Sequence, residues 1–317
     1  MKNNFQWIRK NAFTYVSICL IALSMLVSCN SSNDSTQEKT TDGQKKIGVL
    51  LVNHGSRSSI WRKALMDFEK SVKGRVLADG IIKGTKTAHM EYTEPSIATR
   101  LKEFDKEGYT DIIVIPIFLT VSPHTFEDIP TIIGQKVDPA AKEALKIEKI
   151  ECYTPKARTY ITPNLDFTDI LKKNVLRRVK SLSKDASKEG IVLIGYGDET
   201  YDKEWGQLFD KVGEYVKENT GINKHSYGWC GHIVHYDPTK TTDAINEVLK
   251  TKEKAIVIPV LVAFDEEFQN NIIGTGISKV ENHKERVTYI PDALLPDANV
   301  EQWVIDVSKE FVQKINQ

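Results

Sequence analysis

Three side chains stand where chemistry is most readily built: His54 in Asn53-His54-Gly55, Glu91, and His124 in Pro123-His124-Thr125. Each lies at or just after an apolar, strand-like run, and in open α/β sheets ligands bind outside the carboxyl ends of the strands. Two neutral imidazoles and a carboxylate, with coordination positions left over, suit a borderline divalent ion such as Co²⁺, Ni²⁺, Fe²⁺ or Zn²⁺. A single histidine at a strand end is more often a hydrogen-bonded turn residue. Three candidate ligands at three successive strand ends shift the balance towards a metal site. Other chemistries find less support. Ser56 lies in a glycine-containing turn, but no Gly-x-Ser-x-Gly elbow surrounds it. Gly195-Tyr196-Gly197 carries only the first part of a dinucleotide fingerprint. No Cys-x-x-Cys pair is present for a zinc ribbon or a redox dithiol.

The elements that must carry these groups alternate. Residues 47–52 are a short apolar run and 61–72 an amphipathic helix; 87–92 read as extended, with Glu91 late in that strand. Glu94-Pro95-Ser96 announces a helix over about 96–106, and 112–119 are apolar without a break, as a strand covered on both faces requires. Asp128-Ile129-Pro130 opens or interrupts a further helix, and 145–153 read as a fourth strand. Strands alternating with helices predict an α/β fold built on an open parallel sheet with helices on both faces.

A second copy follows. His89 and His232, Pro95 and Pro238, Thr99 and Thr242, and Ile115-Pro116 and Ile258-Pro259 share one offset of 143 residues. Residues 191–194 take the place of the first strand, and Tyr196-Gly197-Asp198 stand where His54-Gly55-Ser56 stood, one residue out of step. The expected organisation is an N-terminal half over 47–185 that holds the metal site and a C-terminal half over 186–317 that is a degenerate repeat, with a cleft between them as the ligand site. In the second half Glu267 falls where the first has His124, and His235 replaces Tyr92 beside the Glu91 position. His235 is therefore the better cleft candidate of that half; His89, His225 and His283 are read as structural.

The chain has 317 residues, and its 43 Lys and Arg cancel its 43 Asp and Glu, so it carries no field that would gather nucleic acid. The front end differs. Lys2, Arg9 and Lys10 precede a mostly apolar run over 12–27 and then Leu26-Val27-Ser28-Cys29, which reads as a secretory signal over 1–28. The tetrad resembles the lipobox of bacterial lipoproteins. That implies lipidation at Cys29, a membrane contact made only through the lipid anchor, and a periplasmic or outer-membrane address. Residues 30–44 are polar throughout, so 29–46 are expected to be a solvated tether. Cys152 and Cys230 then remain as thiols, and the sequence leaves open whether they pair.

Taken together, Ile47-Gly48-Val49-Leu50-Leu51-Val52-Asn53-His54-Gly55-Ser56-Arg57, Glu91-Tyr92-Thr93-Glu94-Pro95-Ser96, and Pro123-His124-Thr125-Phe126-Glu127-Asp128-Ile129-Pro130 resemble the successive motifs of the class II tetrapyrrole chelatases, most closely the sirohydrochlorin cobaltochelatase type. The resemblance runs from about 47 to 134, with a fainter echo from 190 to 277. It implies two flavodoxin-like halves enclosing a flat macrocycle, ATP-independent insertion of a divalent metal, and catalytic metal ligands at His54, His124 and Glu91. The substrate metal it implies is Co²⁺, with Ni²⁺ or Fe²⁺ as alternatives and no organic cofactor. Arg57, Ser56, His235 and Glu267 are the expected substrate-binding residues, and Arg57 is a candidate clamp for a peripheral carboxylate. A haem- or metallotetrapyrrole-binding lipoprotein without turnover is the alternative. Homo-oligomerisation is left open.

Overall fold

The computed structural model describes residues 45–165 and 169–317. The expected signal peptide, Cys29 and the tether up to residue 44 lie outside the described residues. Lys45 and Lys46, the last two residues of the expected tether, are bonded to the body: Lys45 Nζ donates to Ile315 O at 2.6 Å and the Lys46 N–H to Thr110 Oγ1 at 2.8 Å.

The first half runs β1 (Ile47–Asn53), α1 (Ser59–Val76), β2 (Ile82–His89), α2 (Ile97–Lys106), β3 (Asp111–Pro116), a π-helical turn (His124–Asp128) continued by α3 (Ile129–Ile132), α4 (Pro139–Ile147) and β4 (Arg158–Ile161). After α5 (Ile170–Leu182) the second half runs β5 (Glu189–Gly195), α6 (Asp202–Thr220), β6 (His225–Trp229), a 3₁₀ turn (His232–Val234), α7 (Thr239–Leu249), β7 (Lys254–Val260), a second π-helical segment (Glu267–Gly274) continued by α8 (Thr275–Ser278), α9 (His283–Arg286), β8 (Val287–Tyr289) and α10 (Ala298–Asn316). The strands form two parallel four-stranded sheets, ordered β2-β1-β3-β4 and β6-β5-β7-β8.

Strand alternation divides the apolar residues between layers. Val49, Leu51, Ile113 and Ile115 face a core that they share with Ile191, Leu193, Ile256, Ile258, Val304 and Phe311 of the second half. Their neighbours Leu50, Val52, Ile112 and Val114 face the opposite layer, against Leu101, Phe104 and Leu145. Val192, Ile194 and Val257 do the same against Ile245 and Val248. The helices start where polar side chains satisfy their first amides: Ser58 Oγ accepts from the Trp61 N–H and Ser96 Oγ from the Thr99 N–H.

The covering helices cross between halves. α5 packs on β7 and α6, where Asn174 and Arg177 donate to Asp297, and Arg178 to Asp292 and to Pro259 O. α10 returns to α1 and β3, with Arg75 paired to Glu301 at 2.5 Å.

Two expected elements move. Residues 145–153 are not the fourth strand. Asp138 caps α4 through the Ala140 and Ala141 amides, Pro139 fits its first turn, and Ala141 and Leu145 are buried one turn apart, so helix geometry wins there. The fourth strand is 158–161 instead. The second strand ends at His89, which leaves Glu91 just beyond it.

Candidate metal centre

Asn53 closes β1 and is fully buried. Its Oδ1 accepts from the Gly55 N–H at 3.1 Å and meets His89 Nδ1 at 2.8 Å, tying the His54-Gly55 turn from beneath and giving His89 the structural role expected of it. Gly55 has φ 92°, and a Cβ there would lie 2.2 Å from Glu91 O, so this turn requires glycine. Pairing continues past the end of β2: the Met90 N–H donates to Asn53 O and the Glu91 N–H to His54 O, both at 2.9 Å. Backbone hydrogen bonds therefore set Glu91 beside His54.

His124 arrives from the next strand. Beyond β3 the chain runs through buried Ile117, Phe118 and Leu119 to Pro123, and His124 opens the π-helical turn. Asp128 lies four residues on, and its Oδ2 meets His124 Nδ1 at 2.7 Å. His54 Nδ1 meets Gly55 O at 3.1 Å. A carbonyl and a carboxylate only accept, so each neutral ring carries its proton on Nδ1 and presents the lone pair of Nε2. Metal-binding histidines are commonly oriented by such a partner.

One ligand atom from each of His54, Glu91 and His124 lies within 4.8 Å of the others, the one such group among the described residues. His54 Nε2 is 3.9 Å from Glu91 Oε1, and the two imidazole rings meet edge to face at 4.9 Å. The His54 and His124 side chains are 35% and 29% exposed, against 10% for Glu91, so a hydrated ion can reach the imidazoles while the carboxylate stays sheltered.

The two imidazoles are tuned apart. Burial holds His54 below its ordinary pKa, the charge of His124 adds to this, and Glu91 only partly opposes it. Burial also pulls on His124, but the Asp128 hydrogen bond and the charges of Glu91, Asp128 and Asp198 outweigh it and raise its pKa. His54 thus favours the neutral, ligating form more strongly than His124 does.

The remaining expected residues are scattered. Arg57 is exposed, its guanidinium 5.0 Å from the centre of the Tyr92 ring. Ser56 donates to Asp265 Oδ2 at 3.0 Å and accepts from the Ser58 N–H, so its hydroxyl joins the halves. Glu267 opens the second π-helical segment, as His124 opens the first, but its carboxylate accepts from Asn271 and lies outside the three-residue group. His235 is misassigned by the constant offset. The Gly231 N–H donates to Tyr196 O as the Glu91 N–H does to His54 O, so Gly231 holds the Glu91 position, and the loop from there to Pro238 is longer than its counterpart before Pro95. His232 and His235 both lie beyond the end of β6, outside the metal group. Cys152 and Cys230 are free thiols, Cys230 fully buried.

Known proteins are similar to this chain. The CbiX family model matches residues 48–182. The sirohydrochlorin cobaltochelatase of Methanococcoides burtonii is 35% identical over 99 residues, covering 31% of this chain and 71% of that protein. The chain belongs to the CbiX family of class II chelatases. Its match to the sirohydrochlorin cobaltochelatase of Methanococcus maripaludis, 35% over 86 residues, covers 27% of this chain and 57% of that protein. The sirohydrochlorin chelatase SirB from Bacillus subtilis subspecies spizizenii, solved in complex with cobalt, superposes with a TM-score of 0.59 at 18% identity over 84% of this chain and 96% of its own. That likeness extends the shared fold to both halves of this CbiX-family chain.

Three acids near the candidate ligands extend the site beyond the expected residues. Asp128 was legible as a His-x-x-x-Asp spacing in a helical segment, which places both side chains on one face. Asp198, whose charge reaches His124, stands in the second half where Ser56 stands in the first. Glu148, just past α4, has its carboxyl pKa raised by burial and then by the charges of Glu91 and Asp128; nothing in its sequence context marks it.

Proposed function

We propose that this CbiX-family chain inserts a divalent metal, Co²⁺ foremost, into sirohydrochlorin or a closely related tetrapyrrole without ATP. The observation that carries this reading is the convergence of one ligand atom from each of two imidazoles and one sheltered carboxylate within 4.8 Å beyond the strand ends. Insertion needs an ion held loosely on one side, so that its waters can be exchanged for the macrocycle's nitrogens. Three protein ligands leave that side open. It also needs bases, because the free-base ring loses two pyrrolic protons as the ion enters: Co²⁺ plus the diprotonated ring gives the metallated ring and two protons. An imidazole vacated by the departing ion can take a proton and pass it to solvent, and Glu148 and Asp128 supply further carboxylate acceptors close by.

The proposal extends to an address outside the cytoplasm. Leu26-Val27-Ser28-Cys29 supports a lipid anchor at Cys29 and a periplasmic or outer-membrane address.

The test is absorbance spectroscopy of the protein with metal-free sirohydrochlorin and Co²⁺, and separately with haem. Spectral conversion of sirohydrochlorin that needs both protein and metal is the expected result. Haem binding without metallation of sirohydrochlorin would replace this reading with that of a carrier.

A further inference from the structure

The second half has an aromatic ring where the first keeps one of its ligands. Tyr196 follows β5 as His54 follows β1, and in each case the next residue is a glycine at positive φ, Gly55 at 92° and Gly197 at 82°. At the Glu91 position stands Gly231, where a Cβ would lie 2.7 Å from Tyr196 Cδ1; the missing carboxylate is the space the Tyr196 ring occupies. Tyr196 in turn meets Phe268 edge to face at 5.5 Å, and its hydroxyl is 3.4 Å from that of Tyr236.

These rings connect to the metal group. The Tyr92 ring lies 5.8 Å from His54, and Tyr236 follows β6 as Tyr92 follows β2, each beyond the strand that flanks the central strand of its half. Tyr92 is 57% exposed and Tyr236 47%, an aromatic surface left open to water beside a polar site. Both sit in the left-handed backbone region, at φ 66° and 57°, which non-glycine residues seldom adopt. The sheet ladder does not require either conformation, since both follow the ends of their strands; it is the loops that turn these rings outward. A phenol is neutral at ordinary pH, so Tyr92 offers a π face and a donor rather than a charge. Arg57, stacked on Tyr92, puts one cation at the margin of the patch.

We propose that Tyr92 and Tyr236, backed by Tyr196 and Phe268, form a stacking surface that takes the conjugated face of the tetrapyrrole and brings its centre to His54, Glu91 and His124, with Arg57 meeting a peripheral carboxylate. This rests on the metal-insertion reading and adds to it: the first half holds the ion, and ring surface for the macrocycle comes from both halves, Tyr92 from the first and Tyr236, Tyr196 and Phe268 from the second. A flat π system is the ligand whose chemistry fits, because offset stacking on aromatic side chains rewards planarity and polarisability.

The experiment is equilibrium binding of metal-free sirohydrochlorin, read by quenching of its fluorescence, with Co²⁺ affinity titrated separately in the absence of tetrapyrrole. Tyr92→Leu and Tyr236→Leu should each weaken sirohydrochlorin binding about tenfold. Tyr92→Phe and Tyr236→Phe should bind it as the unsubstituted protein does, and all four variants should keep its Co²⁺ affinity. Leucine variants that bind sirohydrochlorin undiminished would overturn the stacking surface while leaving the function intact. Equal losses in the leucine and phenylalanine variants, or a parallel loss of Co²⁺ affinity, would also overturn it. An unsubstituted protein that fails to bind sirohydrochlorin would overturn both.

Discussion

The turns after β1 and β5 share a backbone and differ in chemistry. Each places an aromatic or imidazole ring, then a glycine at positive φ, at the carboxyl end of the central strand, and each is bonded through its ring residue's carbonyl to the chain leaving the neighbouring strand. In the first half the three converging positions hold His54, Glu91 and His124; in the second they hold Tyr196, Gly231 and Glu267. The parallel sheet brings the same three places together whatever occupies them, because strand register and the turn glycine fix the backbone. Side-chain identity alone then decides whether the edge can grip an ion. The fold was repeated, and the ligand set was not.

The sharpest way to break that comparison is His124→Ala. Losing one of three ligands should lower Co²⁺ insertion by at least about a hundredfold, with the circular dichroism spectrum unchanged. Activity close to that of the unsubstituted protein would mean that the first half is no more a metal site than the second.

A smaller effect is expected one step back from the ion. Asp128→Asn removes the carboxylate that orients His124 and should weaken Co²⁺ affinity about tenfold at high pH. Its pH signature has a definite sign. The ion needs a neutral imidazole, and Asp128 helps hold the His124 pKa above its ordinary value, so in the unsubstituted protein binding is full above that raised pKa and falls as pH drops through it. The asparagine variant should bind more weakly yet move the midpoint of that fall to lower pH. A calorimetric titration series that leaves the midpoint in place would remove Asp128 from the account. The smallest effect belongs to Glu267→Ala, which should leave Co²⁺ affinity unchanged. A loss there would make the second half a partner in coordination.

Much of this organisation was written in local pattern. The apolar runs of β1 and β3 and the Ser96 cap of α2 were legible, and strand-end logic picked out the three residues that converge. The fourth strand was missed because residues 145–153 carry apolar side chains that also suit a helix face, and the deciding signal was the Asp138-Pro139 start well upstream. True β4 is short and half-exposed along most of its length, so it lacks the apolar run that marks the others. His235 was misplaced for a different reason. A constant offset between repeats holds at Pro95 and Pro238, yet the loop before Pro238 absorbs extra residues after the strand end, and only the hydrogen bond from Gly231 to Tyr196 reveals the true alignment. Asp198 and Glu148 act across tertiary distance, which a linear motif does not encode.

The crossing of α5 and α10 makes the molecule an interlocked pair. A backbone cut between 182 and 189 would strand α5 with the fragment whose sheet it does not cover and α10 with the one it does not serve, leaving an apolar face bare on each. The pieces are therefore complementary rather than autonomous, each carrying the helix that covers apolar surface of the other.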